Sequence, residues 1–251
     1  MADHVLSDTA DRVLTLTLDR ADKKNAITGA MYAALSNALN AARDDDGVRA
    51  VVLTGTGGVF TAGNDLGDFL MDPPTGPESA VFQFLSAVST FPKPLLAAVE
   101  GPAIGIGTTV LLHCDFAYAA PSARFKMPFV DLGLVPEAAS SLLVPRLAGH
   151  ARASELLLLG RAFSADEARE IGLVNAVADD PLAHAHETAA ALAKKPPEAV
   201  RLSKALIKGE TAEAVGETIV REGAQFVAQL ASPEAQEAFA AFFEKREPDF
   251  G

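Results

Sequence analysis

Two glycine-containing turns carry the clearest chemical signal in this 251-residue chain. Thr61-Ala62-Gly63-Asn64-Asp65-Leu66 and Gly101-Pro102-Ala103-Ile104-Gly105-Ile106-Gly107 each follow a run that reads as a strand. Glycine lets a backbone N–H come close to a ligand oxygen, and a helix N-terminus adds a favourable dipole. Two such turns can aim two N–H donors at one carbonyl oxygen, the arrangement that stabilises an oxyanion. The same glycines would also serve a tight turn with close helix packing. Gly105-Ile106-Gly107 opens like a dinucleotide fingerprint, but Val110 stands where its third glycine belongs, which disfavours a nucleotide-dependent oxidoreductase.

Other chemistries find less support. His184 and His186 are two residues apart, too close in a helix to share a face as metal ligands, and read as solvated surface residues. There is no Gly-x-Ser-x-Gly elbow. Gly58 to Gly63 lacks the Lys-Ser/Thr of a phosphate-binding loop. Lys plus Arg number 21 against 33 Asp plus Glu, a net charge of −12 that argues against nucleic-acid binding. A local basic patch for an anionic small ligand remains compatible with it. Cys114 is the single cysteine, so no internal disulfide forms and a cytoplasmic location is expected. Met-Ala-Asp-His at the start has no apolar run of the signal-peptide kind. Leu95 to Cys114, the most apolar stretch, is interrupted by Glu100 and Pro102, so no membrane span is expected.

The elements that would position the turns follow from periodicity. Val13 to Leu18 alternates as a half-buried strand, Thr28 caps a helix with Met31, Leu35, Leu39 and Ala42 on one side, and Ala50 to Thr54 reads as a buried strand. Leu95–Val99, 115–119 and 124–127 read as further strands, with a helix from Pro102 to His113. Helices are expected from Glu137 to Leu147 and from Arg152 to Leu159, and Ser164-Ala165-Asp166-Glu167 is a capping box with a stop at Gly172. Pro196-Pro197 divides an α/β body, 1–195, from a helical region, 196–251, whose last helix opens at Ser232-Pro233-Glu234. Arg201, Lys204 and Lys208 share a helical face and read as a solvated basic stripe.

Several segments, in order along nearly the whole chain, resemble the enoyl-CoA hydratase/isomerase, or crotonase, superfamily. They are Phe60 to Leu66, Ala98 to Gly105 with Cys114-Asp115, Arg124 to Pro128 through Leu132 to Pro136, Lys194 to Lys204, and Phe242 to Arg246. The resemblance implies an α/β spiral of strand-strand-helix units with a C-terminal helical trimerisation region, in a homotrimer or homohexamer. It implies an acyl-CoA substrate, with coenzyme A entering as part of the thioester and no separate cofactor or metal. The oxyanion donors would be the backbone N–H groups of Asn64 and Ile106.

The resemblance also separates reactions within the superfamily. The two glutamates of the hydratases fall at Thr109 and Phe129 here, neither of which does acid–base chemistry, so plain hydratase activity is disfavoured. Gly133-Leu134-Val135-Pro136-Glu137-Ala138-Ala139-Ser140-Ser141 is similar to the Δ3,Δ2-enoyl-CoA isomerases, where the glutamate matching Glu137 is the catalytic base. Taken alone, a glutamate after proline also suits a surface position at a helix start. Ala62, Gly63, Asn64, Asp65, Leu66, Phe242 and Lys245 match positions that bind the thioester and coenzyme A, and Phe129, Leu134 and Thr109 would line the acyl pocket. Phe129 and Leu134 are also expected to form the apolar surroundings of Glu137. Phe226, Phe239, Leu202, Leu206 and Phe242 are apolar positions of the helical region expected to need a partner surface. An isomerase of another unsaturated acyl-CoA, such as a ring or branched intermediate, and an idle CoA-binding member are the alternatives.

Overall fold

The protein is described by a computed structural model covering residues 4–251. Met1, Ala2 and Asp3, which carry part of the expectation about the N-terminus, lie outside the described residues. Nine strands form two sheets among the described residues. In the first, β1 (Val5–Ala10) is antiparallel to β2 (Val13–Leu18), and β3 (Ala50–Gly55), β4 (Leu95–Val99), β6 (Phe116–Ala119) and β9 (Ala176–Val177) follow in parallel. The second sheet holds β5 (Pro102–Ile104), β7 (Arg124–Lys126) and β8 (Phe163–Ser164). β4 runs into β5 through Glu100-Gly101, and β6 into β7 through Pro121-Ser122. These two turns of the spiral thus each give one strand to each sheet.

β3 and β4 are buried on both faces. Val51, Leu53, Leu95, Ala97 and Val99 face the main core, while Val52, Leu96 and Ala98 face α8 (Pro181–Ala193). This explains why they read as continuous apolar runs rather than alternating ones. α1 (Gly29–Asp44) packs on α3 (Ala80–Ser89), with α2 (Leu66–Met71) between them in sequence. The expected cap of α1 is present: Thr28 Oγ1 accepts from the Met31 N–H at 3.3 Å. The capping box at Ser164 opens α7 (Ala165–Glu170), and Ser232 caps α10 (Pro233–Glu244).

Three sequence expectations need correction. The helix expected from Pro102 to His113 is instead β5, a short α4 (Ile106–Thr109) and a 3-10 turn, Val110–His113. Pairing of Ala103 with Phe125 in the second sheet takes the first residues out of the helix. The helix expected from Glu137 begins at Ser140, as α5 (Ser140–Ala148), followed by α6 (His150–Leu158). The basic stripe is not solvated. α9 (Pro197–Leu230) lays Lys204 against the body with only 7% exposure, where its Nζ donates to Asp115 Oδ2 and to the Lys93 carbonyl, both at 2.6 Å. Burial pushes Lys204 down to about 8, against the pull of Asp115. Lys208 donates to the His113 carbonyl at 2.8 Å, and only Arg201 stays exposed, paired with Glu198. His184 and His186 are exposed as expected; His186 meets Thr15 and His184 packs on Tyr118. Phe226 and Phe239 are buried within the chain itself, whereas Leu202, Leu206 and Phe242 remain exposed. No helix among the described residues is long and apolar enough to cross a membrane.

Candidate active site

The two glycine turns are stitched together. The Thr61 N–H donates to the Pro102 carbonyl and the Ile104 N–H to the Thr61 carbonyl, each at 3.0 Å. Gly63 has φ +92°, and a Cβ there would lie 2.8 Å from the Ile104 carbonyl oxygen, so the turns meet only because the residue is glycine. Thr61 Oγ1 donates to the Asn25 carbonyl at 2.6 Å and accepts from the Gly63 N–H at 3.0 Å, fixing the first turn from inside. On the second turn, Gly105 at φ +55° takes the chain from β5 into α4, its N–H donating to the Lys126 carbonyl at 2.8 Å.

Ile106 is the first residue of α4, so its N–H has no acceptor within the helix. Among the described residues, neither the Asn64 nor the Ile106 N–H donates to a protein acceptor. These are the two donors the resemblance implies, and the Thr61–Ala103 bridge joins the turns that carry them. Beside the first turn, and bordered by Ile104 and Gly105 of the second, opens a cleft of about 920 Å³ lined by residues 62–66, Phe129, Leu134 and Phe242; Ile106 is buried and outside this lining. Arg20, Lys23, Lys24 and Arg246 add cationic groups to its wall. Lys245 is exposed and lies outside this lining; Arg246 occupies the cleft instead. Thr109 is also outside it, fully buried with its hydroxyl unpartnered.

Glu137 is no surface residue. It is 5% exposed, and its Oε1 has no hydrogen-bond partner. Its apolar wall comes from Val81, Phe82 and Leu85 of α3 and from Ile219, Gly223 and Phe226 of α9, around a cavity of about 10 Å³. Phe129 and Leu134, expected in that role, line the main cleft. Phe226 borders both spaces. Burial first, and then the charge of Glu222, pushes the Glu137 carboxyl up to about 8. Burial and the Glu137 charge both raise Tyr32, whose hydroxyl donates to the side-chain carbonyl of Asn64.

The arrangement is two unpartnered N–H donors beside a cleft, with a buried carboxyl behind one wall of it. A match to the enoyl-CoA hydratase/isomerase family extends over residues 8–251. The chain belongs to this family.

Its crotonase fold is shared with the solved structure of Pseudomonas aeruginosa OdaA, 48% identical with a TM-score of 0.94, over 96% of this chain and 98% of that one. The chain is 36% identical to the 1,2-epoxyphenylacetyl-CoA isomerase of Escherichia coli strain K12, over all of this chain and 99% of that protein. It is 40% identical to human enoyl-CoA delta isomerase 2, over 79% of this chain and 52% of that longer protein. It is also 34% identical to the 2,3-dehydroadipyl-CoA hydratase of E. coli strain K12, over 95% of each. Isomerases and hydratases thus stand at similar distance, and crotonase-family processing of acyl-CoA is what they share.

Sequence reasoning missed Tyr32, His113, Glu222 and the apolar face of α3. None of them lies in a segment that carries the family resemblance; they reach the site from distant segments, 32 to 222.

The raised Glu137 carboxyl has a consequence for stability. An unfolded glutamate titrates near about 4.3, so between there and about 8 the folded chain holds a proton that the unfolded chain has lost. Stability contributed by this group is complete below the lower value and is lost as pH rises through the upper one. Glu137→Gln never ionises. Its melting temperature relative to the parent is expected to rise from pH 5 to about pH 8 and to level off above that; a gap independent of pH would contradict the burial of an ionisable Glu137.

Proposed function

We propose that the protein is a Δ3,Δ2-enoyl-CoA isomerase in which Glu137 is the single acid–base group. What carries the reading is one buried carboxyl oxygen without a partner, separated from the cleft by Phe226, while Thr109 and Phe129 leave no second carboxylate at the hydratase positions. The thioester carbonyl accepts from the Asn64 and Ile106 N–H groups. Ionised Glu137 takes a proton from C2 of the 3-enoyl chain, and the C2–H electrons pass into a dienolate whose negative charge rests on the thioester oxygen. Each positioned donor is worth about 3 kcal/mol of barrier. The Glu137 carboxylic acid then returns the proton to C4, the double bond settles between C2 and C3, and the base is regenerated. Access requires the Phe226 ring to make room for C2 and C4. Arg20, Lys23, Lys24 and Arg246 supply positive charge for the coenzyme's phosphates, and Phe242 an aromatic face for its adenine.

A second reading, an isomerase of a ring-bearing or otherwise modified acyl-CoA, draws on the full-length match to the E. coli epoxide isomerase. The same single carboxylate would serve it, so a substrate panel separates the two.

Incubation with 3-enoyl-CoA is expected to produce conjugated-thioester absorbance, with kcat/KM rising as pH approaches about 8 and Glu137 ionises. Glu137→Gln is expected to lower turnover by at least about 100-fold with KM nearly unchanged, and hydration of 2-trans-enoyl-CoA should be at least about 100-fold slower than isomerisation. A variant retaining a third of parental turnover, or comparable hydration and isomerisation rates, would sink the assignment.

A trimer, or a pair of trimers, is also proposed. Leu206, Ile207 and Val220 on α9 are 81%, 83% and 69% exposed, an apolar display suited to a second copy. Light scattering at micromolar concentration should return at least three chains; a monomer would contradict this.

A further inference from the structure

The turn that carries Glu137 is unusual in its backbone. Ala138 and Ala139 have φ of +58° and +56°, the left-handed region that residues with a Cβ adopt only when the surroundings hold them there. Three buried hydrogen bonds do so. His113 Nε2–H donates to the Ala138 carbonyl at 2.8 Å. The Glu222 carboxylate, reaching from the middle of α9, accepts from the Ala139 N–H at 2.6 Å and from the Ser141 N–H at 2.8 Å. Glu222 is 6% exposed and sits one helical residue from Gly223, which walls the Glu137 cavity.

We propose that Glu222 is a positioning residue for Glu137, clamping the 137–141 turn so that the Glu137 carboxyl keeps its aim, and standing behind it as a second buried negative charge. This rests on the reading of Glu137 as the base. The charged and titratable groups around the pair are few. α1 contributes Tyr32, the 3-10 turn after α4 contributes His113, and α9 contributes Glu222 and Arg221; α3 presents only apolar side chains to the cavity. His113 is pushed down to about 4 by burial, so it is a neutral donor at working pH and adds no charge. Of the two carboxyls, Glu222 holds two N–H donors that favour its ionised form, whereas Glu137 Oε1 has none. Burial raises Glu222 too, but its two N–H donors pull it back, so the proton belongs on Glu137 and the Glu222 charge makes it harder to remove. Glu222 thereby adds to burial in raising the pH above which Glu137 works as a base.

The test compares parent, Glu222→Gln and Glu222→Asp by the pH profile of kcat/KM on 3-enoyl-CoA. Glu222→Gln keeps an acceptor oxygen but no charge. Its rising limb is expected to move toward acid by about one pH unit, with kcat at the optimum about tenfold lower and KM within about twofold. Glu222→Asp keeps the charge on a shorter arm, so its limb should stay in place while kcat falls; it also covers the case in which the glutamine variant does not fold. Lower melting temperatures with unmoved limb and unchanged kcat in these variants would reduce Glu222 to a structural residue and overturn the proposal. A second readout needs no substrate. The pH at which the stability gain of Glu137→Gln over its parent levels off should lie about one unit lower in the Glu222→Gln background, and an unmoved levelling-off point also overturns the proposal. If the parent does not isomerise 3-enoyl-CoA yet that levelling-off point moves, the reaction assigned above fails while the role of Glu222 stands.

Discussion

A carboxyl group buried without a hydrogen-bond partner is the constraint around which this molecule is arranged. Such a group is costly to ionise and is tolerated only where the surrounding structure is rigid enough to keep it there. Glu137 is held at the end of a left-handed turn that His113 and Glu222 grip from opposite sides. His113 is in turn fixed by Lys208, which donates to its carbonyl, and Lys204 ties α9, which carries Glu222, to Asp115. Asp115 also accepts from the Leu95 N–H of the buried strand β4.

The oxyanion turns obey a different rule. They need backbone, not side chains, and the needed geometry comes from one parallel bridge between Thr61 and Ala103. Gly63 allows the approach, and the helix start at Ile106 leaves its N–H without an acceptor. The site therefore joins donors from two early turns to a carboxyl from a third segment, and the C-terminal helix closes the back of it. A chain of net charge −12 still gathers cations at one cleft, where Lys23 and Lys24 stand with Arg20, paired with Asp65, and Arg246, paired with Glu237.

How much of this was legible follows from how local each signal is. The alternation of Val13 to Leu18, the cap at Thr28 and the capping box at Ser164 depend on neighbours a few residues away, and the structure has them. The glycine turns and Glu137 stand in recognisable segments, so the joined turns and the carboxyl between them and α9 leave a local signal. The start of α5 could not, because Ala138 and Ala139 take left-handed conformations that alanine avoids unless distant groups impose them. Lys204 and Glu222 look like ordinary charges on a solvated helix; only the docking of α9 buries them. The apolar wall of Glu137 was assigned to Phe129 and Leu134, adjacent in sequence, when it comes from α3 and α9.

The central claim is that one sheltered carboxyl performs both proton steps of the proposed reaction. It is tested most directly with 3-enoyl-CoA carrying deuterium at C2, incubated in ordinary water and read by NMR or mass spectrometry of the product. Because Glu137 is nearly closed to solvent, the account predicts that a measurable fraction of the deuterium reappears at C4 of the same molecule. Complete loss of the abstracted label to water, with only unlabelled hydrogen added at C4, would contradict it.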